Sequence, residues 1–391
     1  MDYALNDEQN MLVETSLALG GEFGPDYWRE KDDGGEYPTE FFKAMGKHGF
    51  YSLGLPEEHG GTPAGITEIA LAMEALCRGG AGGGPALGYL FGTLGANIIK
   101  SHGDGAQKAA YLPDMAKGQK MCAFGLSEPD AGTNTLNIKT YARRDGDDYV
   151  INGAKWYSTN IERSDAIVLV ARTTKLENAE RRSDGISLFL IDLPNPGITY
   201  TPIEKHGFRY YKSNSVFLDN VRIPASNLIG KEGAGFGQLL GTLNPERILV
   251  AAGAIGVGRL AIKTAVDYAN DRSVFGQPIG GHQAVQHPLA AAYAKLESAW
   301  DTVKRAAWML DGGAPSVAVG SVSNMAKYLA VEAAIEACSA AVQTHGGNGY
   351  AREYHVERWL RETQLFRLAP VTQQMTLNFI GEHVLGMPRS Y

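Results

Sequence analysis

A cluster of glycines near the C-terminus constrains this chain more than any other stretch. Gly346, Gly347 and Gly349 fall within one short turn, and an amphipathic segment that ends in a polar run near Gln374 follows them. A turn without β-carbons lets backbone N–H groups approach a bulky anion, such as a pyrophosphate, closely. A tight helix C-cap followed by a new helix would use the same glycines. The glycines alone leave both interpretations open.

The composition is that of an ordinary globular protein. The chain has 391 residues, of which 44% are hydrophobic and 20% are charged, and its formal net charge is −7. This length predicts two or three domains, and the interspersed charges offer no basic face to nucleic acid or to an anionic membrane. The N-terminus lacks signal-peptide and presequence features, and no apolar stretch is expected to reach bilayer-spanning length. We therefore expect a cytoplasmic protein, or the mature form of an organellar one.

The cysteines and histidines predict neither disulfides nor a metal site. Cys77, Cys122 and Cys338 are widely spaced and form no CxxC pair, and the nine histidines lack HExxH spacing. We expect the three cysteines to be buried, reduced and small hydrophobic members of the core.

Hydrophobic periodicity divides the chain into three parts. Residues 1–120 show helical spacing, residues 121–231 contain short β-branched and aromatic runs, and residues 232–391 return to long Ala-rich helical segments. The pattern predicts a multi-domain α+β fold with an N-terminal helical domain, a central β-barrel or sandwich and a C-terminal four-helix bundle. The predicted strands cover residues 139–144, 149–151, 166–171, 186–192 and 215–221.

Three further motifs carry groups suited to a large ligand. Residues 124–134 read FGLSEPDAGTN, a tight loop whose N–H groups and hydroxyls can donate hydrogen bonds. Residues 156–160 read WYSTN, which places an aromatic ring beside a hydroxyl, and residues 271–279 read DRSVFGQPI. In isolation, each motif is also compatible with a plain turn or strand. The complete strings are much rarer than their parts.

Together with the stretch from 343 to 374, these motifs resemble the signatures of the acyl-CoA dehydrogenase family, and the resemblance covers most of the chain. Members of this family hold FAD between subunits and desaturate acyl thioesters. The resemblance therefore implies an FAD enzyme with the helix, β, helix order of domains.

The resemblance also implies which residues contact FAD. Tyr157 takes the place of an aromatic residue, usually tryptophan, that covers one face of the flavin, and Thr159 takes the place of a hydroxyl near the ring nitrogen that receives hydride. Arg272 would neutralise the pyrophosphate of the FAD of a neighbouring subunit, which implies a homotetramer. The complete implied set is Phe124, Leu126, Ser127, Gly132, Thr133, Tyr157, Thr159, Arg272, Phe275, Gln283, Gln343, Gly346, Gly347, Thr372 and Gln374.

The catalytic base is the main departure from the family pattern. Most relatives carry a glutamate in a loop that reads Tyr-Glu-Gly-Thr, whereas residues 369–372 of this chain read APVT. Isovaleryl- and long-chain-type enzymes carry the glutamate on a bundle helix just before an arginine, which corresponds here to Glu246. The resemblance therefore implies Glu246 as the base, and Thr133, Asn244 and Arg247 as contacts of the acyl-CoA substrate.

Glu246 also has a structural interpretation. Asn244 as an N-cap and Pro245 at the first helical position would begin a helix, whose dipole would stabilise the adjacent acid by about 0.3–1 kcal/mol. The family match favours the catalytic interpretation. Pro370 raises a second question, because the family uses a backbone N–H at this position to bind the thioester oxygen and proline has none. Either a neighbour such as Val371 supplies that bond, or the chemistry differs.

Glycines in the N-terminal part have two interpretations as well. Residues 79–84 are nearly all glycine and predict a flexible loop. Gly88, Gly92 and Gly95 lie on one helix face, which indicates close helix packing or, because related enzymes line the acyl pocket near this helix, a groove for the acyl chain.

The resemblance implies an acyl-CoA dehydrogenase for a branched or medium-to-long acyl thioester, with an electron-transfer flavoprotein as its partner. Two other classes of protein are compatible with the same motifs. A desulfinase or flavin monooxygenase of the same fold would suit the missing loop glutamate and Pro370. A non-catalytic, flavin-free subunit would be colourless when purified.

Overall fold

The N-terminal part of the protein is helical, as predicted. The computed structural model describes residues 4–390. Two of the six N-terminal helices begin with capping boxes, Asn6 with Gln9 and Asp104 with Gln107, in which side chains and backbone N–H groups bond reciprocally. The helices are α1 Asp7–Glu22, α2 Pro25–Gly34, α3 Thr39–Lys47, α4 Ile66–Leu76, α5 Gly84–His102 and α6 Gly105–Ala116.

The central part forms one mixed sheet of eight strands in the order β6-β7-β3-β2-β4-β5-β8, with β1 parallel to β4. Every predicted strand overlaps an observed one, whereas β1, β6 and β8 were not predicted. Strand β6 lacks a clear signal because most of its residues are exposed. The strands are β1 Cys122–Gly125, β2 Tyr141–Asp145, β3 Asp148–Thr159, β4 Ala166–Arg172, β5 Ile186–Asp192, β6 Ile198–Ile203, β7 Ser213–Pro224 and β8 Leu228–Ile229.

One face of the sheet packs against itself, because its strands share a single apolar cluster. The buried members of one apolar cluster, which include Leu169 and Val216, come from strands β1 to β7 and a one-turn helix at Ile161. The opposite face packs against α5 and α6 through residues such as Ile99 and Leu112. A sheet that curls around its own core is the expected barrel or sandwich arrangement.

The C-terminal part is the predicted helical bundle. Helices α7 to α10 pack on one another, and Gly258 of α7 allows a close approach, because a β-carbon there would lie 2.6 Å from Leu296 and 3.2 Å from Ala334. A short hairpin, β9 Ser273–Val274 and β10 Gln277–Pro278, connects α7 to α8. The helices are α7 Gly235–Asp271, α8 Gln283–Asp311, α9 Ser316–His345, α10 Val356–Leu368 and α11 Gln373–Phe379.

Helix α7 contains an apolar stretch that was not expected from the sequence. Its 37 residues are long and apolar enough to cross a bilayer by length and composition, so the expectation that no stretch reaches this length is wrong. However, 83% of its apolar window is buried inside the protein. The helix is apolar because α4, α5, α8 and α9 surround it. All three cysteines are free and buried, as expected.

The glycine-rich segment at residues 79–84 is not a flexible loop, so that prediction was wrong. It forms a largely buried π-helical turn, Cys77–Ala81, followed by the start of α5. A β-carbon at Gly79 would lie 2.6 Å from the carbonyl oxygen of Leu17, and one at Gly84 would lie 2.3 Å from the Trp28 ring. These glycines allow close packing between helices rather than motion.

Gly88, Gly92 and Gly95 are explained by the packing alternative. A β-carbon at Gly88 would lie 2.0 Å from Phe42, and one at Gly95 would lie 2.5 Å from the β-carbon of Cys122 at the start of β1. Because this face of α5 meets side chains of the core, the groove alternative is not needed to explain the glycines.

We expect Gly95→Ala to lower the melting temperature, because the added methyl group would overlap Cys122 and overpacking of this kind costs about 1–3 kcal/mol. Gly105→Ala is the matched control. Gly105 is the first residue of α6, its β-carbon would meet nothing within 4 Å, and alanine favours a helix. Thermal unfolding of both variants tests the packing interpretation, and equal melting temperatures would contradict it.

Candidate active site

The loop at residues 124–134 is held from behind by a buried ion pair. The Lys155 ammonium group, which is 0% exposed, donates to the Leu126 carbonyl at 3.1 Å and to the Glu128 carboxylate at 2.8 Å. Glu128 also accepts hydrogen bonds from the backbone N–H groups of Lys139 and Thr140. The loop is therefore fixed by side chains on its inner side.

The ion pair keeps both partners charged despite their burial. Burial raises the pKa of Glu128, but the charge of Lys155 and the hydrogen bonds outweigh it, so that the net pKa lies below its ordinary value. Burial lowers the pKa of Lys155 to about 8, against the attraction of Glu128. Removing one partner would leave an uncompensated buried charge.

A β-bulge turns Tyr157 outward next to this loop. Three steps of β3, from Lys155 to Ser158, face two steps of β7, from Val216 to Asn214. Within the bulge, Tyr157 has a φ of 62° and its side chain is 59% exposed. Bulges often re-aim a side chain at a functional site, and an outward ring here matches the predicted cover of a flavin face.

Hydrogen bonds join the bulge to its surroundings. The backbone N–H of Trp156 donates to the backbone carbonyl of Ser127 at 2.7 Å, and the Thr159 hydroxyl lies 3.0 Å from the Ser213 hydroxyl. Phe124 and Leu126 pack on the core between the sheet and α5, while Gly132 and Thr133 are exposed at the loop tip. The structure therefore groups the predicted cofactor residues of the central domain on one surface.

Glu246 lies inside α7 and does not begin a helix. The helix runs from Gly235 through Pro245 to Asp271, so the structural interpretation of Asn244 as an N-cap and Pro245 at the first helical position is wrong. Pro245 therefore lies in the interior of α7, where it has no N–H to donate to the carbonyl of Gly241. The dipole explanation for an acid at position 246 is thereby removed.

Glu246 stands where α7 passes from the central domain into the bundle. Leu239, two turns earlier, belongs to the apolar core shared with the sheet, and Ile248 belongs to the core of the bundle. Gly253, two turns later on the same helix face as Glu246, packs against Ala86 of α5. The carboxyl group therefore faces the junction of α5, α7 and the β-domain, where a ligand cleft between domains is expected.

The surroundings of Glu246 adapt it to proton transfer. Burial raises its pKa to about 7, although a hydrogen bond with Thr242 and the charge of Arg247 act in the opposite direction. A carboxyl group whose pKa lies near neutral pH can both accept and release a proton under ordinary conditions.

Arg247 faces a different neighbour. Its guanidinium donates to the Asn244 side chain at 3.1 Å and lies near Lys327 of α9, whose ammonium group donates to the Val371 carbonyl at 2.6 Å. Arg247, Lys327 and the loop at residues 369–372 therefore lie at the same end of the bundle as Glu246. The contacts of Asn244, Arg247 and Thr133 with substrate stay predictions.

Six of the remaining predicted cofactor residues lie at the other end of the bundle, whereas Thr372, in the loop at residues 369–372, and Gln374, in α11, lie at the Glu246 end. Arg272 ends α7, and Phe275, 95% exposed, lies at the tip of the hairpin between β9 and β10. Phe275 and Gly276 both have positive φ, as a type I′ turn requires. Gln283 begins α8, while Gln343, Gly346 and Gly347 are exposed at the end of α9.

Hydrogen bonds and stacking hold this second group together. The Asn348 amide donates to the Tyr268 hydroxyl, one turn before Arg272, and His345 stacks on the Tyr268 ring. Gly346 is the C-cap of α9, so the capping interpretation applies to it. Gly347 has nothing within 4 Å of a β-carbon position, so packing does not explain it, whereas Gly349 packs against Val342.

The two groups are far apart within one chain. Arg272 follows Glu246 by 26 positions of continuous helix, which is about 40 Å at 1.5 Å per residue. One FAD molecule cannot place its isoalloxazine ring near Glu246 and its pyrophosphate near Arg272 of the same chain. Within each group, the predicted residues lie close together, but the group near Glu246 and the group near Arg272 are separate in one chain.

Comparison with known proteins follows the same division of the chain. Models of the N-terminal, middle and C-terminal domains of acyl-CoA dehydrogenases match residues 6–119, 123–221 and 233–385. Acyl-CoA dehydrogenase FadE12 of Mycobacterium tuberculosis is 39% identical over 386 residues, which cover 99% of this chain and 98% of that protein. The chain belongs to the acyl-CoA dehydrogenase family.

Solved structures of the acyl-CoA dehydrogenase family agree with this membership. Butyryl-CoA dehydrogenase from Megasphaera elsdenii is 31% identical, with a TM-score of 0.91 over 98% of this chain and 100% of that one. A glutaryl-CoA dehydrogenase in complex with glutaryl-CoA is 29% identical, with a TM-score of 0.93 over 100% of this chain and 98% of that one. This chain is an FAD-dependent oxidoreductase of the family, as the sequence predicted.

The residues of this acyl-CoA dehydrogenase fit the cofactor. The outward ring of Tyr157 and the fixed loop beside it offer a surface for a flat ring system, and the open glycine turn at Gly347 offers backbone to a pyrophosphate. Exposed Arg272 and Phe275 offer a charge and an aromatic ring to its adenosine half. Among residues 4–390, no group of three metal-ligating side chains is close enough to hold a metal ion.

Sequence reasoning missed the residues that hold the site from behind. Lys155, Lys327 and Asn324 are not among the residues predicted from the sequence. Asn324 and Lys327 follow Gly320 on α9 at helical spacing, on a face that meets α7. Polar residues on this otherwise apolar face were the feature from which their role could have been predicted. Arg247 Nε and Asn324 Oδ1 have no partner within residues 4–390, which indicates a bound water or ligand near them.

We expect the stability of this enzyme to fall between about pH 5 and pH 8 because of Glu246. Its pKa rises from 4.5 to about 7 on folding, so the folded state favours the protonated form. That stabilisation is complete below the unfolded pKa and is lost as the pH rises through the folded pKa, by about 3 kcal/mol in total.

Glu246→Gln removes this titration. The melting temperature of the variant relative to the original protein should therefore increase from pH 5 to pH 8, while Glu14→Gln, at an exposed position of α1, should show no such trend. Parallel melting curves for Glu246→Gln and the original protein across this range would contradict the shifted pKa.

Proposed function

We propose that this enzyme removes a proton from the α-carbon of an acyl-CoA thioester with Glu246 as the base, and so forms the α,β-double bond. The observation that carries the proposal is the place of Glu246, inside α7 and facing the junction of the bundle, α5 and the β-domain. Residues 369–372, where most relatives carry the base, contain no carboxylate.

The chain's own residues perform the proton transfer. The α-proton passes to the Glu246 carboxylate, and Thr242 and Arg247 favour the charged form that must be present before the transfer. Bound FAD supplies the acceptor for the hydride that leaves the β-carbon. Burial of the carboxyl group keeps its pKa high enough for it to hold the proton once taken.

The substrate class and partners extend the proposal. A base on the bundle helix leaves the region near the β-carbon free, which suits a branched or medium-to-long acyl chain. One relative, 33% identical, is a cyclohex-1-ene-1-carbonyl-CoA dehydrogenase of Syntrophus aciditrophicus, so a branched or cyclic acyl group has precedent among similar chains. An electron-transfer flavoprotein is the proposed electron acceptor, and the proposed compartment is the cytoplasm.

A homotetramer is the proposed assembly. The distance of about 40 Å between Glu246 and Arg272 means that a second copy must complete each cofactor site, if both groups of residues bind FAD. The exposed Phe275 and Tyr350 rings near Arg272 are the kind of apolar surface that a second subunit covers.

The direct test is anaerobic addition of a panel of straight and branched acyl-CoAs to the flavin-loaded enzyme. We expect the flavin absorbance to bleach with a preferred substrate, and Glu246→Gln to slow this step by about 10²–10⁴-fold, because a positioned base is worth that much. Glu14→Gln should bleach at the original rate. Equal bleaching by Glu246→Gln would remove Glu246 from the mechanism.

The same experiment separates the other classes. A desulfinase or monooxygenase would leave the flavin oxidised with every acyl-CoA, and Pro370 is the feature that favours this alternative. A flavin-free subunit would be colourless after purification.

The rate of flavin reduction should also depend on pH with a defined sign. Because the deprotonated carboxylate is the active form, the rate should rise with pH around an apparent pKa near 7. Thr242→Val removes a hydrogen bond that lowers this pKa, so its profile should move to higher pH. Thr264→Val, which removes a comparable hydroxyl from the same helix, should leave the profile in place. Identical shifts in both variants would contradict the assignment.

A further inference from the structure

The peptide unit between Val371 and Thr372 is held from inside the bundle. Its carbonyl oxygen accepts a hydrogen bond of 2.6 Å from the ammonium group of Lys327, a residue of α9 that is only 1% exposed. A buried lysine is costly to desolvate unless its charge has a fixed partner. Here that partner is the backbone of the loop in which most relatives carry their catalytic glutamate.

The geometry of a peptide bond fixes the direction of the adjacent N–H. In a trans peptide unit, the C=O and N–H bonds point to opposite sides of the chain. Since the Val371 carbonyl points into the bundle toward Lys327, the Thr372 N–H points away from α9, toward the side on which Pro370 and Gln374 are exposed. Within residues 4–390, this N–H has no hydrogen-bond partner.

The loop needs such a donor. Pro370 has no N–H at the place where the family pattern provides one for the thioester oxygen. As the α-proton moves to Glu246, negative charge develops on that oxygen, and a fixed donor stabilises it. The sequence left two alternatives, a bond from a neighbour such as Val371 or a different chemistry, and the observed contact of Lys327 orients the peptide unit that follows Val371.

We propose that Lys327 is a positioning residue that aims the Thr372 N–H at the thioester oxygen, and so replaces the donor that Pro370 removes. This inference rests on the proposed function. The ammonium group also polarises the peptide unit through the Val371 carbonyl, which strengthens the N–H as a donor. No bond is made or broken by Lys327, and the substrate proton passes to Glu246 as before.

The charges around Lys327 are consistent with this role. Burial and the nearby charge of Arg247 lower its pKa to about 8, while Glu332 acts in the opposite direction. The Glu332 carboxylate is already held by Arg367, at 2.6 and 2.7 Å. The carbonyl of Val371 is therefore the fixed polar partner of Lys327.

Position 372 offers a direct test of the N–H. Thr372 has a φ of −63°, a value that proline adopts, and its hydroxyl caps α11 by accepting from the Met375 N–H. Thr372→Val loses the hydroxyl, and with it the cap and the predicted contact with FAD, whereas Thr372→Pro loses the hydroxyl and the N–H. We expect Thr372→Pro to reduce the flavin about 10²–10³-fold more slowly than Thr372→Val, the usual effect of losing one such donor.

Lys327→Met tests the positioning group, because methionine keeps most of the apolar stem without the ammonium group. We expect slower flavin reduction with little change in acyl-CoA affinity, and partial rescue by Lys327→Arg. Lys263→Met, at an exposed position of α7, is the matched control. Flavin absorbance and melting temperature verify that each variant is folded.

A readout without turnover separates this inference from the proposed function. An arylacryloyl-CoA absorbs at longer wavelength when its carbonyl group is polarised, and its binding requires no base. We expect a clear red shift on binding to the original enzyme and to Lys263→Met, and a reduced shift with Lys327→Met and Thr372→Pro. An unchanged shift in both of these variants would overturn the inference.

The two hypotheses fail in different experiments. If Glu246→Gln reduces the flavin at the original rate, the proposed base is wrong, but the red shift still tests the donor. If Thr372→Pro and Thr372→Val reduce the flavin equally fast, the Thr372 N–H is not the donor, whatever the base. Hydrogen exchange of residues 369–376 provides a structural check, because Lys327→Met should exchange faster there than the original protein.

Discussion

The packing of α7 through the middle of the protein determines where every functional group lies. Three glycines, Gly253, Gly256 and Gly258, let α4, α5, α8 and α9 approach this helix closely, since a β-carbon at each would lie within 2.7 Å of a neighbour. The helix is therefore closely packed along the stretch between Glu246, near the β-domain, and Arg272, at its C-terminal end. Its length separates the two sets of residues that the cofactor needs.

Buried lysines complete this arrangement by fixing loops that would otherwise be free. Lys155 donates to the Leu126 carbonyl of the loop at residues 124–134, and Lys327 donates to the Val371 carbonyl of the loop at residues 369–372. In both places the carbonyl oxygen points inward to a cation, so that other groups of the loop point outward to a ligand. The cost of burying the cation is offset by the order it gives to the loop.

Much of the fold could be predicted from the sequence, because helical and strand periodicity reflect burial directly. The order of the three parts and five strands were predicted in this way, whereas the family and its cofactor FAD were implied by the resemblance of the motifs to known signatures. Strand β6 was missed because its residues are mostly exposed, and residues 79–84 were misjudged because glycine permits close packing as readily as it permits flexibility. The apolar length of α7 was not predicted, since glycines and the charged residues Arg259 and Lys263 interrupt the run that follows Arg247.

The sequence by itself, through the resemblance of its motifs to those of a known family, implied the family, the cofactor and Glu246 as the candidate base, because motifs can be matched without knowledge of tertiary contacts. Only the tertiary structure decided that Glu246 lies within α7 rather than at its start, because Pro245 is compatible with both positions and the backbone path depends on contacts with distant elements. It also decided the direction of the Thr372 N–H. That direction depends on Lys327, 45 positions earlier in the chain, and no local pattern in the loop records it.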